Sequence, residues 1–281
     1  MQKVAIQGVK GCYHDVASYK YFGEQQHIKQ IECHSFEEVF RAFKKNPETW
    51  GVMAIENTVA GSILPNYSKL MASDMQIVGE VYQRIKHCLL TNKTTTLDQI
   101  TEVRSHPMAL LQCLHYFDSH HHIVLKETQD TALSAKELAE NPNPNIAVIA
   151  SELAAQVYGL TVIDKGIETN PRNFTRFLIL RNKELVNMEN KTINKASLYF
   201  KTGHTPGSLA EVLGLFAKKE VNLTKIQSLP VIGRPWEYLF ITDLLFDHYD
   251  RFKEMMVEAR KITNELQILG TYQEGIKYRQ L

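Results

Sequence analysis

What this 281-residue chain lacks narrows its function first. It has only four cysteines, Cys12, Cys33, Cys88 and Cys113, each standing alone. With no Cys-x-x-Cys pair and no Cys/His cluster at zinc spacing, they read as reduced thiols, and neither a disulfide framework nor a metal is expected. No apolar run approaches the ~18 residues of a membrane-spanning helix. Charge of one sign is missing too: 32 Lys+Arg stand against 31 Asp+Glu, a formal net charge of +1. That balance gives no global electrostatic reason to expect nucleic acid or a membrane as partner. Gly8-x-x-Gly11 lacks both the third glycine of a dinucleotide fingerprint and a following Gly-Lys-Ser/Thr, so NAD and ATP are unsupported and no cofactor is expected. No Gly-x-Ser-x-Gly elbow accompanies any Ser/His/Asp set. Met1–Gln7 reads as a strand, not a leader, so a cytoplasmic protein is expected.

What is present is ordinary in amount, with 44% apolar and 22% charged residues, and informative in pattern. The length suits about two domains. Through the first two thirds, short apolar runs alternate with amphipathic stretches. The strands are Lys3–Gln7, Ile28–Cys33, Trp50–Ile55, Gln99–Ser105, His122–Glu127 and Asn145–Ala150, with Met75–Leu90 largely extended. The helices are Val16–Phe22, Phe36–Lys45 (Ser35 and Glu38 as its capping box), Ile63–Met71, Pro107–Phe117, Thr131–Glu140 and Glu152–Tyr158. This predicts an α/β domain with mostly parallel sheets. The polar stretch Arg181–Lys195 reads as a linker. Beyond it the order strand–helix–strand–strand–helix–strand (Ala196–Thr202, Gly207–Lys219, Leu223–Pro230, Trp236–Phe246, Tyr249–Ile262, Leu266–Tyr272) is βαββαβ, the ferredoxin-like arrangement.

Four turns, Gly8–Tyr13, Asn57–Ile63, Ser105–Met108 and Gln129–Leu133, each lead from a strand toward a helix and are rich in Gly, Ser, Thr, Asn, Asp or Pro. Helix N-termini gathered at the carboxyl ends of strands make an anion site; equally, such residues simply cap helices. Arg176, before the apolar run Phe177–Leu180, has the planar fork that grips a carboxylate, or it is a surface residue at a loop end. Glu56 at a strand end reads as an acid or as a support for its turn. His120-His121-His122 reads as an exposed loop, because sequence neighbours rarely converge on one ion.

Taken in order, the motifs resemble the prephenate dehydratase family. The carriers are Ala54-Ile55-Glu56-Asn57-Thr58-x-x-Gly61-Ser62, Ser105-His106-Pro107-Met108-Ala109-Leu110-Leu111-Gln112-Cys113, Asp130-Thr131-Ala132, Ala150-Ser151 to Tyr158-Gly159-Leu160, and Asn173-Phe174-Thr175-Arg176-Phe177. Thr205-Pro206-Gly207-Ser208-Leu209 and Asn222–Pro230 resemble an ACT regulatory domain. The resemblance implies a type-II periplasmic-binding-protein-like catalytic domain over 1–183, a linker over 184–194 and an ACT domain over 195–281. One catalytic lobe would hold Met1 to about Ile77 plus the tail near Thr175, the other the middle. No fused chorismate mutase is expected, since the chain opens on the first strand.

The implied reaction is loss of carbon dioxide and water from prephenate to give phenylpyruvate, a carbon–oxygen lyase activity in phenylalanine biosynthesis. Carried over residue by residue, Thr175, Glu56, Asn57 and Gln112 are the expected catalytic residues. Ser105, Thr131, Arg176, Ser62 and Phe177 are the expected substrate contacts. Met108 stands where the family commonly has Gln. L-Phenylalanine is the expected effector, between paired subunits of a homodimer or homotetramer, at Gly207, Ser208, Leu209 and at Gln227, Ser228, Leu229, Pro230. Gln227 and Leu229 depart from the family's Glu and Arg, so either phenylalanine binds through backbone groups or sensitivity to it is changed. Arogenate dehydratase is the close alternative, and a non-catalytic two-lobed sensor of amino acids or small anions is the alternative of another class.

Overall fold

Helix caps and glycine turns set most element boundaries in this chain, for which a computed structural model describes residues 1–23, 27–93, 95–187, 192–231, 233 and 237–277. From the N-terminus the elements are β1 (Gln2–Gln7), α1 (Tyr13–Phe22), β2 (Ile28–Cys33), α2 (Phe36–Lys45), β3 (Trp50–Asn57), β4 (Gly61–Ser62), α3 (Leu64–Met71), β5 (Met75–Arg84) and β6 (Cys88–Thr91). Then come β7 (Glu102–Ser105), α4 (Pro107–Gln112), α5 (Leu114–Phe117), β8 (Val124–Glu127), α6 (Thr131–Glu140), β9 (Ile146–Ala150), α7 (Glu152–Tyr158), β10 (Thr161–Lys165) and β11 (Phe174–Asn182). The chain finishes with β12 (Lys195–Lys201), α8 (Ser208–Lys218), β13 (Asn222–Pro230), β14 (Tyr238–Leu245), α9 (Tyr249–Ile262) and β15 (Glu265–Tyr272). Of the polar stretch, Arg181 and Asn182 end β11 and Lys195 opens β12, while Glu189, Asn190 and Lys191 lie outside the described residues, as does Trp236.

The residues group into two compact units, Met1–Ile63 with Val81–Phe177, and Leu64–Glu80 with Leu178–Leu281. In the first unit β1 pairs in parallel with both β2 and β3, and α1 and α2 pack on these strands. The side chains of Val4, Ile6, Val39, Val52 and Ile55 are fully buried here. A five-stranded sheet in the order β10-β6-β9-β7-β8 forms the rest of this unit's strand framework. Its core joins Leu89, Val103, Leu110, Cys113, Phe117 and Ile149.

Several boundaries differ from expectation for local physical reasons. The five-stranded sheet is mixed, with β6 antiparallel to β9 and β10 but β7 parallel to β8 and β9. The Glu38 carboxylate accepts from His34 N–H, one residue before the capping-box position, while Ser35 Oγ accepts from Glu38 N–H as expected. The helix anticipated over Pro107–Phe117 breaks at Cys113 (φ −110°, ψ 6°) into α4 and α5. Asn57–Ile63 does not run from strand into helix: Gly61 (φ +82°) turns the chain back as a hairpin, pairing Glu56 with Ser62 and Asn57 with Gly61.

In the second unit the observed order is β–α–β–β–α–β, and the strands lie β13-β14-β12-β15, all antiparallel. Leu198, Phe200, Val212, Phe216, Leu244 and Phe252 centre its core. β15 meets β5 at Gly270–Ile77, where a Cβ on Gly270 would stand 2.2 Å from the Ile77 carbonyl oxygen, so only glycine fits. Beside this contact the ammonium of Lys195 grips both oxygens of Glu80, at 2.8 and 3.0 Å, and Gly275 N–H donates to the same carboxylate at 3.0 Å. Both side chains are essentially inaccessible. Removing one member of such a pair strands a buried charge, whereas replacing both with apolar groups does not. Lys195→Met is therefore expected to lower the unfolding free energy by about 3–5 kcal/mol. Adding Glu80→Met should recover most of that loss, as read by chemical denaturation of the single and double variants.

Candidate active site

The organising side chain sits at the end of β3. Asn57 Oδ1 accepts two backbone N–H groups of the turn that follows, Val59 at 2.9 Å and Ala60 at 2.8 Å. Two donors on one oxygen settle which end of the amide is which. Its Nδ2 is thereby turned to donate to Asn173 Oδ1 at 2.8 Å and to Thr175 Oγ1 at 2.9 Å. Thr58 holds the entry to β11 from beside it: its hydroxyl donates to Arg172 C=O and accepts from Phe174 N–H, and its N–H donates to Phe174 C=O. Asn173, buried, passes the direction on by donating Nδ2–H to Gln112 Oε1 at 2.9 Å. The same Gln112 oxygen lies 3.0 Å from His87 Nε2, and His87 Nδ1 lies 2.9 Å from the Tyr13 hydroxyl. Glu168, also buried, accepts His87 N–H at 2.9 Å and stands 3.7 Å from Arg84.

An inventory of protons gives this cluster its chemistry. Asn57 spends both N–H groups inward, and Gln112 spends its carbonyl oxygen inward. Thr175 Oγ1 accepts from Asn57, so its own O–H is left to donate elsewhere, and the Gln112 amide N–H groups are left likewise. A cavity of about 410 Å³ adjoins Gln112 and is lined also by Asn173, Glu168, Val59, Met108, Leu111 and Leu114; Thr175 does not line it. Those four apolar side chains are exposed and give the cavity a wall suited to a carbocycle.

The expected residues do not all converge. Consecutive strand residues point to opposite faces, so Thr175 and Phe177 share one face of β11 and Arg176 takes the other. Arg176 is buried and stands 3.8 Å from Glu56, which by the same alternation faces away from Asn57 on β3. Phe177 packs edge-on against His14 at 5.0 Å, and His14 Nε2 accepts Ala54 N–H. Ser105 is fully buried and donates to the Ile149 carbonyl at 2.7 Å, tying β7 to β9. Thr131, buried, follows Asp130, whose carboxylate caps α6 through Leu133 N–H at 2.8 Å. Ser62 sits in the short hairpin strand. Tyr13, His87, Glu168 and Asn173 complete the cluster without having been singled out. Asn173 belonged to a quoted motif, but a lone His at the start of β6 carries no spacing signal.

Among the described residues, no group of three or more His, Cys, Asp or Glu side chains converges as a metal site. Their helices include none long and apolar enough to cross a membrane. All four cysteines are free and buried. Burial, with Asp130 adding to it, pushes the Cys12 thiol well up, so it stays protonated and unreactive. In the second unit Thr202–Ala210 and Leu213 line a cavity of about 640 Å³ that includes Gly207 (φ +89°), Ser208 and Leu209. Gln227, Ser228, Leu229 and Pro230 lie on β13 and do not line it.

Comparison with known proteins gives a consistent assignment. Residues 4–185 match the family model described as prephenate dehydratase. The "Arogenate dehydratase/prephenate dehydratase 2, chloroplastic" of Arabidopsis thaliana is 34% identical over 281 residues, covering 96% of this chain and 72% of that protein. A solved prephenate dehydratase from Arthrobacter aurescens in complex with L-Phe superposes with a TM-score of 0.85 at 24% identity, over 96% of this chain and 89% of that one. The structure described as "GqqA- a novel type of quorum quenching acylases" gives 0.86 at 25%, over 97% and 98%.

Burial also acts on the histidines. It lowers His87, against the opposing pull of Gln112 and Glu168, and lowers the half-buried His14 to about 3. Unfolded, both titrate near 6.5. Protons therefore bind the unfolded chain first: the stability held by the neutral rings is whole above about pH 6.5 and drains as pH falls toward the folded values. Burial raises the carboxyls of Asp15 and Asp130 and so works the other way. The melting temperature is expected to fall from pH 7.5 to 5.5. His14→Gln, which keeps an acceptor for Ala54, should flatten that dependence by up to about 1.4 kcal/mol per pH unit; an unchanged slope would remove His14 from the account.

Proposed function

We infer the chemistry of this site from the premise that the chain belongs to the prephenate dehydratase family. It is an enzyme of that activity, a lyase of phenylalanine biosynthesis, acting on prephenate. In the reaction the ring carboxylate leaves as carbon dioxide, its bonding pair enters the ring, and the C4–O bond breaks. The departing hydroxide takes up one proton and leaves as water, and the ring becomes aromatic in phenylpyruvate. Aromatisation drives the reaction, so the protein's task is orientation and help for the leaving hydroxyl.

The observation that carries the residue assignment is the direction of the Asn57–Thr175 hydrogen bond. Because Thr175 accepts there, its proton is held ready for the substrate hydroxyl. Gln112 offers a second oriented donor, and the apolar wall of Val59, Met108, Leu111 and Leu114 receives the ring. Thr175's partner in the cluster is an amide donor, not a base, which suits donation and not nucleophilic attack, so the acyl-transfer chemistry in GqqA's description finds no activated nucleophile here. Arg176, on the other face of this strand from Thr175, is buried and pairs with Glu56.

The finer organisation we propose is a two-lobed, periplasmic-binding-protein-like catalytic domain over 1–183, a linker over 184–194 and an ACT domain over 195–281. The β–α–β–β–α–β order of the second unit supports the last of these. L-Phenylalanine acts there as an allosteric inhibitor, at the cavity of Gly207, Ser208 and Leu209 and at Gln227–Pro230 of an apposed subunit, in a cytoplasmic homodimer or homotetramer. The same fold binds L-Phe in the Arthrobacter aurescens enzyme. Arogenate, which carries an amino group in place of the keto oxygen, is the second reading, favoured by the double name of the Arabidopsis relative.

The test is turnover of prephenate to phenylpyruvate by the purified chain, with arogenate in parallel and with or without L-phenylalanine. Thr175→Ala is expected to lower kcat by about 10²–10⁴-fold with melting temperature unchanged. Full activity in that variant would remove Thr175 as the donor. Turnover of neither substrate by the unaltered chain would promote the sensor reading, and turnover indifferent to phenylalanine would retire the regulatory one.

A further inference from the structure

We propose that His87 is a positioning residue of this site, the far end of one directional hydrogen-bond chain that starts at the Val59 and Ala60 amides and fixes which atoms Gln112 and Thr175 present. The direction is forced one link at a time. The two amides claim Asn57 Oδ1; Asn57 Nδ2 therefore faces Asn173 Oδ1; Asn173 Nδ2 therefore faces Gln112 Oε1. That oxygen has no proton to give, so His87 Nε2, 3.0 Å away, must be the donor. The neutral ring is then the Nε2–H tautomer, with Nδ1 accepting from Tyr13. A rotated Gln112 would turn its N–H groups toward Asn173 Nδ2 and His87 and take them away from the cavity. His87 thus anchors Gln112 at the oxygen that Asn173 has already selected, which leaves the amide donors outward, and Tyr13 and Glu168 hold His87 in turn. Burial, which disfavours the imidazolium, supports the neutral ring.

Tyr13 also explains how the chain can reverse. Its hydroxyl has a second acceptor, the Lys86 carbonyl at 3.0 Å. If His87 carried its proton on Nδ1, Tyr13 could accept there and donate to Lys86 instead. Polarity is therefore set at the Asn57 end, not at the histidine. Asn57→Asp makes this measurable: a carboxylate still accepts from Val59 and Ala60 but can only accept from Asn173. Asn173 and Gln112 must then rotate, Gln112 donates to His87 Nε2, and the ring proton moves to Nδ1.

The direct readout is a two-bond ¹H–¹⁵N correlation spectrum of the ¹⁵N-histidine-labelled full chain, with the His87 signals assigned by their loss in His87→Gln. The unaltered chain should show Nε2–H at neutral pH and Asn57→Asp should show Nδ1–H. An Nδ1–H ring in the unaltered chain, or no change in Asn57→Asp, overturns the proposal. A kinetic arm covers the case in which Asn57→Asp does not fold, and this arm alone rests on the dehydratase reading. His87→Leu should lower kcat on the order of 10–100-fold with KM nearly unchanged. His87→Gln, which returns an N–H near the Nε2 position, should recover most of that loss. Equal losses in both variants overturn the positioning role. If the unaltered chain does not turn over prephenate, the functional reading fails while the tautomer measurement still decides this proposal.

Discussion

The site depends on two backbone N–H groups meeting one side-chain oxygen. Asn57 ends β3 and caps its own turn, accepting from Val59 and Ala60. An Asx turn of this kind is a local event that needs no partner elsewhere. Its consequence is long-range, because a carboxamide has a carbonyl at one end and donors at the other. Once the carbonyl is claimed, the donors are aimed, and they reach residues 116 and 118 positions away in sequence. The hairpin closed by Gly61 makes the turn that supplies those N–H groups. The geometry of the cluster is thus built from a short turn and transmitted through the Asn57, Asn173 and Gln112 amides, whose unmet hydrogen bonds would each be costly.

Strand alternation imposes the second constraint. Thr175 and Arg176 are neighbours in sequence, and a motif read as a string presents them as one functional unit. On β11 they occupy opposite faces. The same division separates Glu56 from Asn57 on β3, and the two rejected residues find each other, Arg176 within 3.8 Å of Glu56. The conjunction is economical: a four-residue set on two strands yields a neutral hydrogen-bonding face and a charged one. It places proton donation in an uncharged setting, where an oriented hydroxyl is not drawn aside by an adjacent guanidinium.

How much of this was legible in the sequence follows from the range of the forces involved. Ser35 as a cap, the helix Glu152–Tyr158 and the β–α–β–β–α–β order near the C-terminus are local or periodic signals, and they read correctly. The helix break at Cys113, whose side chain is fully buried, and the hairpin at Gly61, a two-residue strand, did not. Among site residues, motif resemblance found Asn57, Gln112 and Thr175, which do converge. It also proposed Ser105, whose hydroxyl instead ties two strands through the Ile149 carbonyl. Nothing in spacing could reveal His87 or Tyr13, 74 positions apart and joined only by folding. A lone histidine in an apolar stretch reads as core, and its buried ring satisfies that description while also doing something else.

That double character follows from burial itself. A polar group taken from water must be paired, and pairing it with another buried polar group passes the requirement onward until it reaches solvent, backbone or substrate. In the second unit Lys195 Nζ and Gly275 N–H converge on the buried Glu80 carboxylate, and their effect is structural. In the first unit the sequence that begins at two backbone amides ends at the Thr175 hydroxyl and at the Gln112 amide, the latter beside a cavity. The difference between a structural network and a functional one is where its last unsatisfied donor points. Here Gln112 lines that cavity, and the demand that stabilises the fold when paired is, at this one end, left open toward it.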